Sequence, residues 1–209
     1  MNNEELLKKI KHARRTVTFD KSRQISDDDW QTLLKVAQNA PTSNGLEPWN
    51  ILQIDNPELR KKISKAAPGM VKQLEGADKF IIFTMTTDKA HNRHIMRDIH
   101  GYSVSDYLTF SGSFKLLHTA LLDISYEAWL ERQAAIPLGQ ILLAAGLLDI
   151  DCCPMEGFFY KKVTKILSKA GVLDPAKEKL AVAVAFGYRL NEAKHEKSRR
   201  PLDEIVKII

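Results

Sequence analysis

The sequence predicts an α+β fold for its 209 residues. Three observations lead there. KFIIFTMT (79–86) and KLAVAVAFGY (179–188) are apolar and rich enough in strand-forming residues to be buried strands. Around them lie stretches whose apolar residues recur at helical spacing. Strands and helices do not alternate regularly, which disfavours a doubly wound parallel sheet. No internal repeat, low-complexity tract or linker divides the chain, so residues 1–209 are expected to form one domain.

Residues 3–15 are expected to form an amphipathic helix with Leu6, Leu7 and Ile10 on one face. Ser26 and Asp29 make a capping box ahead of DDDWQTLLKVAQNA. There Trp30, Leu33, Leu34 and Ala37 keep the i, i+3, i+4, i+7 spacing of a helix packed on one side. Pro41 stops that helix, and TSNG after it is a turn-rich loop. WNILQID (49–55) is expected as a strand, and Pro57 opens a short helix over ELRKKISKAA. From 87 to 124 glycines, serines and scattered aromatics settle on no single period. A long helix is expected from Ser125 to Leu148, bent at Pro137. IDCC is a short strand, Pro154–Gly157 a turn, and FYKKVTKILSKAG a helix closed by Gly171. A charged loop, 189–200, leads to the C-terminal run DEIVKII.

Composition excludes several classes. Hydrophobic residues at 44% and charged ones at 27% are those of a globular chain, not a disordered or fibrous one. MNNEELLKKI carries acidic and polar residues where a signal peptide would have a basic patch and an apolar run, so a cytoplasmic protein is expected. The apolar run Ala134–Leu148 has 15 residues, fewer than a membrane helix needs, and contains Pro137 and Gln140. No dinucleotide fingerprint, Walker loop, G-x-S-x-G elbow or H-E-x-x-H motif is present. Cys152 and Cys153 are adjacent, too strained to pair with each other, and are expected as packing residues of a strand. His91, His94 and His100 lack neighbouring cysteines, and no metal site is expected there.

Two basic clusters remain, ARRTVTFD (13–20) and KHEKSRRP (194–201), in a chain of net charge +5. Arginine offers phosphate a planar bidentate fork, lysine a point charge and threonine a neutral donor. If folding joins the clusters, they would grip a phosphate; apart, each would be a solvated face. A nucleic-acid module would use the same charges, but the aromatic residues are not interleaved with them.

These segments also resemble, in order, the motifs of the FMN-dependent nitroreductases. RRT is similar to the family's N-terminal Arg-Arg/His-Ser/Thr element, and APTSNGLEPW (40–49) to its A-P-S/T-S-x-G-L-Q-P-W segment. WLERQAAIPLGQILLAAGLLDIDCCPMEGF resembles its central helix, strand and P-x-E-G turn, and EKSRRP its K-x-R-x-P element. The resemblance implies a mixed β-sheet flanked by helices, with a C-terminal extension over a dimer partner. It implies bound FMN with NAD(P)H as electron donor. Arg14, Arg15 and Thr16 would meet the ribityl phosphate and the polar edge of the flavin, with Lys197 and Arg199 on the phosphate from the other side. Pro41, Thr42, Ser43 and Asn44 would line the isoalloxazine of the partner's site across a homodimer interface. Gln73 would bond the ring or the ribityl chain. The turn Pro154, Met155, Glu156, Gly157 would set backbone N–H groups against flavin N5 and O4, Gly157 allowing close approach. Tyr102, Tyr107, Phe110 and Phe114 could line the acceptor pocket or pack in the core. The chain departs from the family at Thr18, where a basic residue is usual, at Met70 for Asn, and at Glu47 for Gln.

The implied activity is electron-pair transfer from NAD(P)H to nitroaromatic, quinone or related small-molecule acceptors in a ping-pong cycle. No side chain is required as a catalytic acid, because the flavin carries the chemistry. A flavin or dihydropteridine reductase, or a flavin-binding protein of the same fold without turnover, are the alternatives. Neither nucleic acid nor membrane is an expected partner.

Overall fold

A computed structural model describes residues 1–117, 121 and 123–209. In chain order its helices are α1 (Asn3–His12), α2 (Asp27–Gln38), α3 (Pro57–Lys65), α4 (Val71–Gly76), α5 (Lys89–Arg93), α6 (Val104–Leu116), α7 (Tyr126–Leu147), α8 (Tyr160–Lys169) and α9 (Leu202–Ile205). A 3₁₀ turn spans Ser43–Gly45 and a π-helical turn His94–Ile99. The strands are β1 (Trp49–Gln53), β2 (Lys79–Thr86), β3 (Asp151–Met155) and β4 (Glu178–Gly187).

The strands form one sheet in the order β1-β2-β4-β3, each neighbouring pair antiparallel. The expected mixed sheet is therefore antiparallel among the described residues. Parallel pairing is limited to an isolated bridge, Arg15 to Cys152, on the outer edge of β3. Helices cover both faces, which is why β2 and β4 are apolar on successive residues instead of alternating. Ile81, Phe83, Met85, Val184 and Phe186 meet α2 and α7 on one face. Phe80, Ile82, Ala183, Ala185, Cys153 and Met155 pack with residues of α3, α4 and α8 on the other. Trp30 of α2 lies edge-on to Phe186 with ring centroids 5.3 Å apart.

Caps fall where the sequence sets them. Ser26 Oγ accepts from the Asp29 amide at 3.1 Å and donates to its carboxylate at 2.7 Å. Asn56 caps α3, with Pro57 in its first turn. Arg60 donates to the carbonyls of Ile54, Ala77 and Asp78, which sews α3 to both flanking loops. α7 passes through the buried Pro137 as one helix.

Two of the expected boundaries that move bear on the site. The first helix stops at His12, not residue 15, because Arg14–Thr16 is drawn into extended pairing with β3. Pro154 and Met155 belong to β3, so the turn starts at Glu156. Proline fits there because β3 is an edge strand and its outer side needs no ladder donor at that position. Of the stretch the sequence left open, 118–120 and 122 lie outside the described residues. Tyr107, Phe110 and Phe114 pack partly against the α7-side core, whereas Tyr102 is exposed.

Phe186→Ala should destabilise the chain by about 3–5 kcal/mol, because it empties a filled site against Trp30. Urea unfolding followed by tryptophan fluorescence measures this directly.

Candidate functional site

One ion pair organises the edge of the sheet. Asp151 starts β3 opposite Gly187 at the end of β4, and Arg189 comes two residues later. The Arg189 amide donates to Asp151 Oδ2 at 2.8 Å, and its guanidinium closes on the same carboxylate through Nε and Nη2. Nη2 also donates to the His12 carbonyl at 3.2 Å, at the end of α1. The side chains are only 7% and 11% exposed. Hydrogen bonding to Asp151 raises the Arg189 pKa above the ordinary guanidinium range. The segment after α1 is then threaded between two neighbours. Thr16 N donates to Cys152 O at 3.2 Å on one side, and Asp20 N and Leu190 N make backbone bonds between 18–20 and 188–190 on the other.

That threading joins the two basic clusters. Arg14 Nη2 donates to the His195 carbonyl, and Lys197 Nζ donates to the Ile10 carbonyl at 2.6 Å. Lys197 is half-buried. Burial holds its ammonium below the ordinary lysine range, and the positive charges of Arg199 and Arg14 push the same way. A cavity of about 580 Å³ opens where the clusters meet, lined by Lys11, Arg14, Lys194 and Lys197 and also by Glu192 and Glu196. Among the described residues, no carboxylate is ion-paired with Arg14, Arg15, Lys197 or Arg199. Arg15 and Arg199 are exposed, and Thr16 is buried with its hydroxyl on Arg14 O at 3.5 Å.

The turn after β3 presents backbone. Pro154, Glu156 and Gly157 are exposed, whereas Met155 is buried in the core on the α8 side. Among the described residues, nothing accepts from the amides of Glu156 and Gly157. The bare Cα of Gly157 lies against Gly69, where an added Cβ would meet Gly69 Cα at 3.1 Å. Gly69 N donates to Gly157 O at 3.1 Å, which fixes the turn from behind. The close approach that Gly157 allows is thus one of backbone to backbone.

The cysteines split between the two sides of the strand. Cys153 is fully buried on the α8 side, and Gln73 Nε2 points to its sulfur at 3.8 Å. Gln73 is itself buried, so this chain turns its amide inward behind the sheet edge. Cys152 packs toward α7, where burial first, and the Asp151 charge second, push its thiol up to about 12.

Pro41–Asn44 lie elsewhere. Ser43 N donates to Gln133 Oε1 of α7 at 2.8 Å, and Thr42 Oγ1 accepts from the Glu47 amide at 3.0 Å. Among the described residues no hydrogen bond or ion pair joins this loop to the basic edge. Asn44, Gly45 and Glu47 all have positive φ (56°, 64° and 44°), which costs the two non-glycine residues roughly 1–3 kcal/mol each. His91 and His100 bond the carbonyls of Leu46 and Gly45, and His94 pairs with Asp98. Sequence reasoning passes over Asp151, Arg189, Gly69 and Gln133, and weighs His91 and His100 only as metal ligands. A basic residue directly after a strand was the one visible sign, at Arg189.

A helix-covered antiparallel sheet defines an α+β protein, and the cations and bare amides at its edge are a donor set of the kind that suits an anion. The sequence profile of the Nitroreductase family matches residues 11–188, and the chain belongs to that family. It is 38% identical over 205 residues to a Staphylococcus epidermidis protein provisionally named an NAD(P)H nitroreductase, across 94% of this chain and 92% of that one. Its fold resembles that of a Bacillus subtilis protein provisionally described as a nitroreductase, with TM-score 0.81, 16% identity and full coverage (100%) of both chains. It also resembles an Exiguobacterium sibiricum protein, likewise provisionally a nitroreductase, whose structure is in complex with FMN. There the TM-score is 0.77 at 16% identity, over 100% of this chain and 98% of that one.

Asp151→Asn should cost about 3–5 kcal/mol, because it leaves the buried Arg189 with only the exposed Glu192, at 3.3 Å, as countercharge; denaturant titration reads the loss. Cys152 gives a pH test. The folded thiol keeps its proton to about 12 against an ordinary 9.0, so its contribution to stability is whole below pH 9.0 and is lost as pH rises towards 12. At pH 8 iodoacetamide should therefore label Cys152 far more slowly in the folded chain than in urea.

Proposed function

We propose that this chain is an FMN-dependent oxidoreductase that draws electron pairs from NADH or NADPH. It passes them to nitroaromatic, quinone or related small-molecule acceptors. One observation carries the reading: Arg14 and Arg199, from opposite ends of a chain of this family, both lie close enough to Lys197 to act on its charge, and Arg14 and Lys197 line one cavity. The donor set fits a phosphate, since two guanidinium forks and an ammonium gather here and, among the described residues, none is ion-paired with a carboxylate, the cavity's Glu192 and Glu196 included. The free amides of Glu156 and Gly157 fit an acceptor-rich ring edge, and both features stand on the strand that joins them.

When bound, FMN would supply the redox chemistry, two-electron transfer from NAD(P)H to the acceptor. Arg14, Lys197 and Arg199 hold the phosphate, with Arg15 and Thr16 on the adjoining polar edge. Glu156 and Gly157 orient the ring through backbone N–H groups, which the Gly69 contact keeps from relaxing. No side chain is assigned a proton-transfer role; an acceptor's proton comes from water.

The working unit is a homodimer in which Pro41–Asn44 complete the partner's site. Its support is apolar surface left open in one chain: Val104 and Leu108 on α6, and Leu202, Ile205, Val206 and Ile208 near the C-terminus. Among the described residues no helix is long and apolar enough to cross a membrane.

Replacing both Lys197 and Arg199 with Ala should release FMN on dialysis from a protein that otherwise stays yellow. Full retention of the colour by the double variant would refute the phosphate assignment.

A further inference from the structure

Between Thr42 and Glu47 the backbone turns through three positive φ angles in four residues, and two of them fall on Asn44 and Glu47, not glycine. Such a shape persists only where its surroundings over-determine it. Internal bonds contribute: Gly45 N donates to Thr42 O, Leu46 N to Ser43 O, and Glu47 N to Thr42 Oγ1. Three further bonds come from outside the loop: Ser43 N donates to Gln133 Oε1 of α7, and the other two come from histidines and are the ones that reach the carbonyls of the strained turn. His91 Nε2 lies 2.7 Å from Leu46 O, and His100 Nε2 lies 3.1 Å from Gly45 O. A carbonyl can only accept, so each ring carries its proton on Nε2. The histidines flank the π-helical turn His94–Ile99, whose extra residue per turn lies between them in sequence. An added Cβ on Gly45 would sit 3.1 Å from His100 Nε2, so the ring stands directly against the loop backbone.

We infer that His91 and His100 are positioning residues. Together they clamp the carbonyls of Leu46 and Gly45 and hold Thr42–Asn44 in the shape that completes the partner's flavin site, which sets how tightly the electron acceptor binds. The inference rests on the proposed flavin function, in which this loop lines the ring. It links the 91–100 segment to the cofactor through two hydrogen bonds, with no contact between the histidines and substrate.

The test compares the full-length wild type with the H91F/H100F variant, which keeps ring bulk and removes both donors, and with H91Q/H100Q, which can still donate. Amide hydrogen exchange at Gly45, Leu46 and Glu47 is measured on each, with and without added FMN. It should rise about tenfold in the Phe variant while amides of β2 and β4 stay protected. In turnover, KM for a quinone acceptor should rise about tenfold with kcat within about twofold, and the Gln variant should recover most of both effects. Unchanged exchange and KM in the Phe variant would overturn the inference, as would a Gln variant no better than the Phe one. If the double Phe substitution unfolds the chain, the same comparison is made on H91F and H100F singly. A wild type that binds no FMN would refute the functional reading alone, since loop exchange still judges the clamp.

Discussion

The buried pair between Asp151 and Arg189 is the constraint on which the site edge depends. Its partners are 38 residues apart and meet only because β3 and β4 pair antiparallel with Asp151 opposite Gly187. A buried charge pair is seldom a large net source of stability, because desolvation offsets most of the attraction. Its effect here is on geometry. Arg189 also reaches the end of α1, so three elements distant in sequence share one anchor. The segment after α1 must then run beside β3, and the loop after β4 must turn back over α1. Both basic clusters are carried to one place as a result. A shift of register by one residue would turn Asp151 to the opposite side of the strand and dismantle the arrangement.

The same register settles the role of the cysteines. Successive residues of a strand face opposite sides, so adjacent thiols cannot work as a pair once the strand forms. Cys153 joins the α8-side core, and Cys152 packs toward α7 beneath Lys197, with its proton held by burial. A thiol that stays protonated through the neutral range is a poor nucleophile. The cofactor contact proposed for this strand therefore lies in the turn beyond the cysteines, where, among the described residues, nothing accepts from the amides of Glu156 and Gly157.

Much of the fold was legible because hydrophobic burial writes long, regular patterns. β2 matched KFIIFTMT residue for residue, β4 was displaced by one position, and α7 lost one residue at each end. Errors gathered where a long-range partner overrules local preference. Arg14 and Arg15 look like the end of a helix until the bridge to Cys152 pulls them straight. Pro154 looks like a turn residue until the open side of an edge strand accommodates it. The stretch around α6 was illegible because its apolar residues divide, Tyr107, Phe110 and Phe114 packing inward while Val104 and Leu108 stay exposed. The basic clusters and the P-x-E-G turn stood out as motifs. Their supports did not, because Gly69 behind Gly157, Gln133 under Ser43 and Asp151 against Arg189 are pairings in space with no spacing rule.

The way the cations are held suits this edge to the anion proposed for it. Arginines and lysines packed into a fold usually end on carboxylates, which neutralise them and leave little field for a ligand. Here the one buried carboxylate nearby, Asp151, is committed to Arg189. Arg14, Lys197 and Arg199 rest on backbone carbonyls of His195, Ile10 and Ser198. A carbonyl orients a cation without cancelling its charge, so the three remain mutually repulsive, and the lowered pKa of Lys197 partly records that repulsion. Folding therefore assembles a cluster that is unfavourable by itself and relieved by an anion. By linkage, a dianionic phosphate that binds only this assembled cluster stabilises the fold as it binds. On the proposed reading, cofactor binding and the integrity of the sheet edge would be one equilibrium, with Asp151 and Arg189 fixing its geometry.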